Sequence, residues 1–300
     1  MREQPDDELT RRLESLLGSK VASASRAVGG YTPAERWVVR LASGRSVFAK
    51  AGTTELTARC LRTEHETYQV LKGEFMPELL AWDDDPERPL LVLEDLQAAH
   101  WPPPWTTAQV DEACRRLEEL HALRAPLRPF SEVNGAVHGE VEHGWRLVER
   151  DPEPFLGLGL VSERWLEETL PTLVEQADRV ALEVDGPAVT HFDVRSDNLC
   201  FAERGMVLVD WNFACLGNAR LDTGFWLPSL HFEGGPPPEQ VLPEAGDIAA
   251  WVSGFFAARA GLAPIPDAPR VRRVQQEQLS TALPWVVREL RLPPLAAVAD

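Results

Sequence analysis

Residues 190–210, THFDVRSDNLCFAERGMVLVD, decide how this chain is read. They spell His191-x-Asp193-x4-Asn198, then a short hydrophobic hairpin, then a second aspartate at position 210. Each group suits a separate task. Asp193 is placed to accept the proton of an attacking hydroxyl. Asn198 and Asp210 offer the hard oxygen ligands that Mg²⁺ takes beside phosphates. Asp197 adds negative charge next to Asn198. Arg195, two residues after Asp193, is placed either to reach a transferring phosphate or to pair with a neighbouring carboxylate.

Outward toward the N-terminus, lysine usage is the next signal. Of 30 basic residues only Lys20, Lys50 and Lys72 are lysine. Lys50 ends the strand-like run RSVFAK at 45–50, where a compact ammonium suits the α- and β-phosphates of a nucleotide. Glu64 follows within the helical stretch 55–72. Glu66 is the other candidate partner for Lys50, but two residues along a helix point to opposite sides, which favours Glu64. Runs 20–28, 35–42 and 45–51 read as strands, the last two joined at Ser43-Gly44. Two more strands are expected at 78–82 and 89–93. Between the first two strands lies Gly29-Gly30-Tyr31-Thr32-Pro33, whose backbone N–H groups would cover phosphates, although it lacks GxGxxG spacing. The segment Glu94-Asp95-Leu96 leaves the sheet, and the backbone of Glu94 and Leu96 is placed to meet a purine.

Beyond three prolines at 102–104 the pattern turns helical. Helices are expected at 6–17, 106–123, 162–184 (broken or kinked near Pro171), 222–230, 238–260 and 269–292. An α+β bilobal architecture follows, with a β-rich lobe at 1–97 and a helical lobe at 98–300. The formal charge of −17 argues against nucleic acid as a partner. The excess lies in the middle: residues 101–222 hold 22 acidic against 11 basic side chains, whereas 223–300 hold 8 against 6. It reads as a solvated face or as a field drawing a cationic small substrate. Cys60, Cys114, Cys200 and Cys215 form no CxxC pair, so free thiols in a reducing compartment are expected. No apolar run is long enough to span a membrane, and a cytoplasmic location is expected. The oligomeric state stays open.

These stretches together resemble the aminoglycoside phosphotransferase family, the small-molecule branch of the protein-kinase-like superfamily that includes choline and macrolide kinases. The resemblance rests on VFAK around Lys50, LRTEHETYQVL around Glu64, LLVLEDL at 90–96, THFDVRSDNLCF, and VLVDWNFACLGNARLDTGFWL. It implies a bilobal protein-kinase-like fold and transfer of a phosphoryl group from ATP or GTP, with Mg²⁺, to a small-molecule hydroxyl acceptor. It also implies Asp193 as catalytic base, Asn198 and Asp210 as Mg²⁺ ligands, and Lys50 with Glu64 on the nucleotide. His191 would orient the loop, and Asp222 would brace it.

The chain departs from the kinase pattern at Asp210-Trp211-Asn212, where Phe and Gly of the usual flexible hinge are missing. Only twelve positions separate Asp210 from Asp222, too few for a peptide platform, so a small alcohol is the expected acceptor. By analogy the acceptor lies near Trp226, His231, Phe232 and Glu233, walled by Glu142 and Trp145 in a helix at 139–150. An antibiotic of aminoglycoside, nucleoside, peptide or macrolide type is expected. A metabolite kinase acting on an amino alcohol or sugar, and a catalytically inactive nucleotide-binding module, are the alternatives. The remaining histidines, among them His121, read as helix-surface or core residues, not as a metal cluster.

Overall fold

The computed structural model describes residues 4–27, 33–133, 143–265 and 268–295. Its main elements begin with α1 (Asp7–Leu17), β1 (Val21–Arg26), β2 (Glu35–Leu41), β3 (Ser46–Ala51), α2 (Glu55–Val70), β4 (Leu79–Asp83), β5 (Leu90–Glu94) and α3 (Thr107–His121). Next come α4 (Gly144–Arg150), α5 (Glu163–Ala181), β6 (Ala188–Thr190), β7 (Leu199–Ala202), β8 (Gly205–Leu208) and β9 (Cys215–Gly217). The chain closes with α6 (Ala219–Phe232), α7 (Gly246–Ala260) and α8 (Val271–Glu289). Two compact units result: residues 1–102 with 197–212, and residues 103–196 with 213–300. The β7–β8 hairpin belongs with the first unit. Gly29, Gly30 and Glu142 lie outside the described residues.

In the first unit five antiparallel strands run in the order β1-β2-β3-β5-β4. Successive side chains of a strand face opposite sides of the sheet. Val47, Ala49 and Ala51 of β3 therefore join Trp37, Val39, Leu90 and Val92 on the face that buries Leu9 and Leu13 of α1. Each fully buried Leu or Val there stabilises by about 1.5–3 kcal/mol. The same alternation turns Lys50 to the other face. Helix α1 starts at Asp6, whose Oδ1 accepts the Leu9 N–H at 2.8 Å while Oδ2 takes Arg88 at 2.7 Å. Helix α2 starts on a Thr54/Thr57 capping box and buries Ala58, Leu61, Glu64 and Tyr68 on one stripe.

The second unit is helical around α7. That helix buries residues on all sides, from Ile248 through Trp251 and Phe256 to Ala260, as expected of a helix at the centre of a core. Its two-glycine contact with α4 is tight: a Cβ on Gly144 would meet the Gly254 carbonyl oxygen, and one on Gly254 would meet the Trp145 ring. Gly144→Ala is expected to destabilise the protein by about 1–3 kcal/mol, the usual cost of overpacking. A lowered urea midpoint would show it, and an unchanged midpoint would mean that the helices move apart freely.

One helix expectation is narrowed and another corrected. Helix α5 continues through Pro171 without a break. Pro171 and Glu167 are both exposed, so the carbonyl that loses its donor can turn to water. The expected single helix at 238–260 is instead a short turn, Pro238–Val241, followed by α7. Glu244 between them has φ 54°, a left-handed conformation that no helix interior accommodates. All four cysteines are free, Cys200 and Cys215 buried and the other two half-buried. Among the described residues no helix is long and apolar enough to cross a membrane.

Candidate active site

The first unit gathers Lys50, Glu64, Glu94, Leu96, Asn198 and Asp210. Lys50 is only 5% exposed and Glu64 1%. The Lys50 ammonium donates to both Glu64 carboxylate oxygens at 2.9 Å and to Asp210 Oδ1 at 3.0 Å. Glu66 is exposed, off the stripe that meets Lys50. Burial disfavours the ammonium, but the Asp210 and Glu64 carboxylates outweigh it and raise the Lys50 pKa above its ordinary value. The lysine is therefore charged at neutral pH.

Asn198 and Asp210 flank the two ends of the β7–β8 hairpin. Leu199 pairs with Leu208, and the Val209 N–H donates to the Asn198 carbonyl at 2.9 Å. The base of the hairpin thus places residues 198 and 210 at adjoining chain positions. Asp210 has φ 70°, a left-handed conformation a non-glycine residue keeps only when its neighbours enforce it. Trp211 supplies that restraint. It is fully buried, its Nε1 donates to the Leu208 carbonyl at 2.8 Å, and its ring lies 5.7 Å from Phe75. Thr67 of α2 donates to the Trp211 carbonyl at 3.3 Å.

Among the described residues no group of three or more His, Cys, Asp or Glu side chains is arranged around a common metal position. Mg²⁺ needs no such cage, since it binds through one or two protein oxygens and takes the rest from phosphates and water. Asn198 is buried and Asp210 partly open, and each carries a hard oxygen that could serve in that way.

The second unit carries His191, Asp193 and Arg195. The Asp193 N–H donates to His191 Nδ1 at 3.2 Å, and Arg195 Nη2 lies 3.4 Å from Asp193 Oδ2. Asp222 is 0% exposed and holds the loop from beneath. Its carboxylate accepts the N–H groups of His191 at 3.1 Å and Phe192 at 2.7 Å, and meets His121 Nε2 at 2.8 Å. Burial alone would raise the Asp222 carboxyl, but the His121 hydrogen bond and nearby charge bring its pKa below the ordinary value. Phe192 has φ 63° and packs its ring against Phe130 and Phe225 at 4.5 and 5.4 Å.

Other residues separate into wall and core. Glu233 accepts from Ser196 Oγ at 2.5 Å and from Trp105 Nε1 at 2.8 Å, so this carboxylate is tied to the 191–198 loop. His231 Nδ1 lies 3.1 Å from the Gly235 carbonyl. Trp226 and Trp145 are fully buried. Trp145 stands edge-on to Phe155 and donates to Ser253, and Trp226 lies 5.7 Å from Trp105. Neither indole has surface to offer a ligand, which corrects their expected place in the acceptor wall. The Leu96 carbonyl accepts from both Ala99 N–H and Trp101 Nε1.

Three partners escaped the sequence reading: His121, Ser196 and Arg204. His121 alone left a signal. It lies four residues after the buried Leu117, on the stripe of α3 that faces the core, where a polar ring needs a partner.

A kinase-like phosphotransferase is the class that this sheet, hairpin and loop define. The sequence pattern of the APH phosphotransferase enzyme family matches residues 23–286. The chain belongs to that family and is a small-molecule O-phosphotransferase. No curated protein matches it. Many solved structures share its fold, two of them as follows. One is a thermostable mutant of aminoglycoside phosphotransferase APH(4)-Ia in a ternary complex with AMP-PNP and hygromycin B. It is 11% identical, with a TM-score of 0.58 over 95% of this chain and 98% of that one. The other is a choline/ethanolamine kinase family protein from Mesorhizobium loti, 13% identical, with a TM-score of 0.60 over 95% and 97% of the two chains.

Proposed function

We propose that the enzyme moves the γ-phosphoryl group of ATP or GTP to a hydroxyl of an antibiotic. The buried Lys50 ammonium, held between Glu64 and Asp210, is the observation that carries the nucleotide half of this reading. In this reading residues 1–97 form the nucleotide lobe and 98–300 carry the acceptor. Lys50 orients the α- and β-phosphates, and Glu94 and Leu96 meet the base through their backbone. Asn198 and Asp210 would hold Mg²⁺, which supplies neutralisation of phosphate charge when bound.

Asp193 takes the proton as the acceptor oxygen bonds to the γ-phosphorus. The bond from that phosphorus to the β-phosphate oxygen breaks, and the nucleoside diphosphate leaves. His191 orients the loop, and Arg195 passes from Asp193 to the γ-phosphate. Glu233 and His231 line the acceptor side. A cytoplasmic setting supplies both Mg²⁺ and nucleotide.

Phosphorylation of an amino alcohol or other metabolite is the second reading, favoured by the likeness to a choline/ethanolamine kinase family fold. One assay separates the two. Nucleoside diphosphate release is followed with Mg-ATP and with Mg-GTP across hydroxylated antibiotics, amino alcohols and sugars, with Asp193→Asn as the blank. Release with an antibiotic that vanishes in the blank supports the first reading. Release with amino alcohols or sugars alone replaces it with the second. Silence together with failure to bind nucleotide leaves an inactive module.

A further inference from the structure

We propose that Arg204 is a positioning residue for the base of the nucleotide, clamping the 94–100 segment that leaves the sheet to the hairpin flanked by Asn198 and Asp210. The inference rests on the nucleotide reading above. Arg204 sits in the two-residue turn between β7 and β8, where Gly205 opens the return strand at φ 100°. Its guanidinium grips Glu94 with both ends, Nη1 to Oε1 at 2.7 Å and Nη2 to Oε2 at 2.6 Å. Its Nε donates to the Glu74 carbonyl at 2.9 Å. Glu94 Oε2 also accepts the Glu78 N–H at 3.2 Å, and the Glu94 N–H returns to the Glu78 carbonyl at 3.0 Å.

A second tie runs beside the first. His100 and Phe201 exchange backbone hydrogen bonds at 3.0 and 2.8 Å, so the segment leaving the sheet is pinned to β7 as well. Both ends of the 94–100 segment are then fixed to one hairpin. At the other end of that hairpin stand Asn198 and Asp210. Four strand residues at about 3.4 Å each separate the two ends by roughly 13 Å, on the scale of an extended nucleoside triphosphate. The hairpin acts as a spacer between the base site and the phosphate site.

A paired fork of charge-assisted hydrogen bonds is the strong, direction-setting kind. The Arg204 hydrogen bonds hold the Glu94 carboxyl below its ordinary pKa, so the pair is ionised at neutral pH. Lysine cannot reproduce it, because a single ammonium does not match two carboxylate oxygens in a plane.

The test compares a nucleoside with a triphosphate. Dissociation constants for adenosine (guanosine if GTP is the donor) and for the Mg-triphosphate are measured beside KM and kcat. For Arg204→Met both constants are expected to rise about tenfold, the loss of one charge-assisted contact. The acceptor KM and the kcat at saturating nucleotide are expected to stay within about twofold. Arg204→Lys is expected to behave like Arg204→Met. Asp210→Ala gives the contrast, weakening the triphosphate and leaving the nucleoside unaffected. Glu94→Gln keeps the side-chain shape and one hydrogen bond, and is expected to raise the nucleoside dissociation constant about threefold over wild type. It decides the matter if Arg204→Met does not fold. Unchanged nucleoside affinity in a folded variant, or full rescue by lysine, overturns the clamp. Wild type that binds neither nucleoside nor triphosphate overturns the nucleotide reading itself.

Discussion

Asp193→Asn is expected to lower kcat by about 10² or more, the scale of a general base, while nucleotide affinity stays near wild type. Asparagine keeps the size of the side chain and removes its ability to take a proton. Lys50, Glu94, Leu96, Asn198 and Asp210, proposed to hold the nucleotide, belong to the compact unit that does not contain Asp193, so most of the nucleotide contacts are expected to survive the substitution. Steady-state kinetics with a responsive acceptor, beside a nucleotide titration, checks both halves. Wild-type turnover in the variant removes Asp193 from the role of base. A kcat loss accompanied by an equal loss of nucleotide affinity makes the residue a binding group instead.

Asp222→Ala is expected to cost about 3–5 kcal/mol of stability and to abolish turnover. The carboxylate is 0% exposed and accepts two backbone N–H groups, with His121 as a third partner. Alanine leaves those donors buried and unmet, at about 1–3 kcal/mol each. It also releases Phe192 from its left-handed conformation, which two N–H contacts to one carboxylate enforce. Denaturant unfolding measures the cost. The pH dependence gives a second readout. Asp222 has a lower pKa folded than unfolded, so its stabilisation is present above the unfolded value near 3.9 and is lost as pH falls through the folded value. The wild type is expected to show this acid-limb loss and Asp222→Ala to lack it. Equal acid limbs would mean that Asp222 does not titrate on unfolding.

Much of the fold was legible because its signals are local. The strand-like run RSVFAK ended at Lys50, and helical spacing put Glu64 rather than Glu66 on the stripe that meets it. The hairpin after Asn198 announced itself by two apolar runs around Glu203-Arg204-Gly205. Long-range pairs were invisible for the opposite reason. Arg204 and Glu94 lie 110 residues apart, and His121 and Asp222 lie 101 apart. Neither pair has a periodicity that joins it. Composition misled at Trp145 and Trp226, since an aromatic run near a catalytic loop reads equally as wall or core, and only packing distinguishes them.

The burial of Trp211 bears on how this enzyme can be inhibited. With the indole sealed beneath the hairpin and hydrogen-bonded to Leu208, the adjoining aspartate has no vacated pocket into which to swing. Compounds that trap a kinase by wedging open that segment would have to tear a tryptophan from the core.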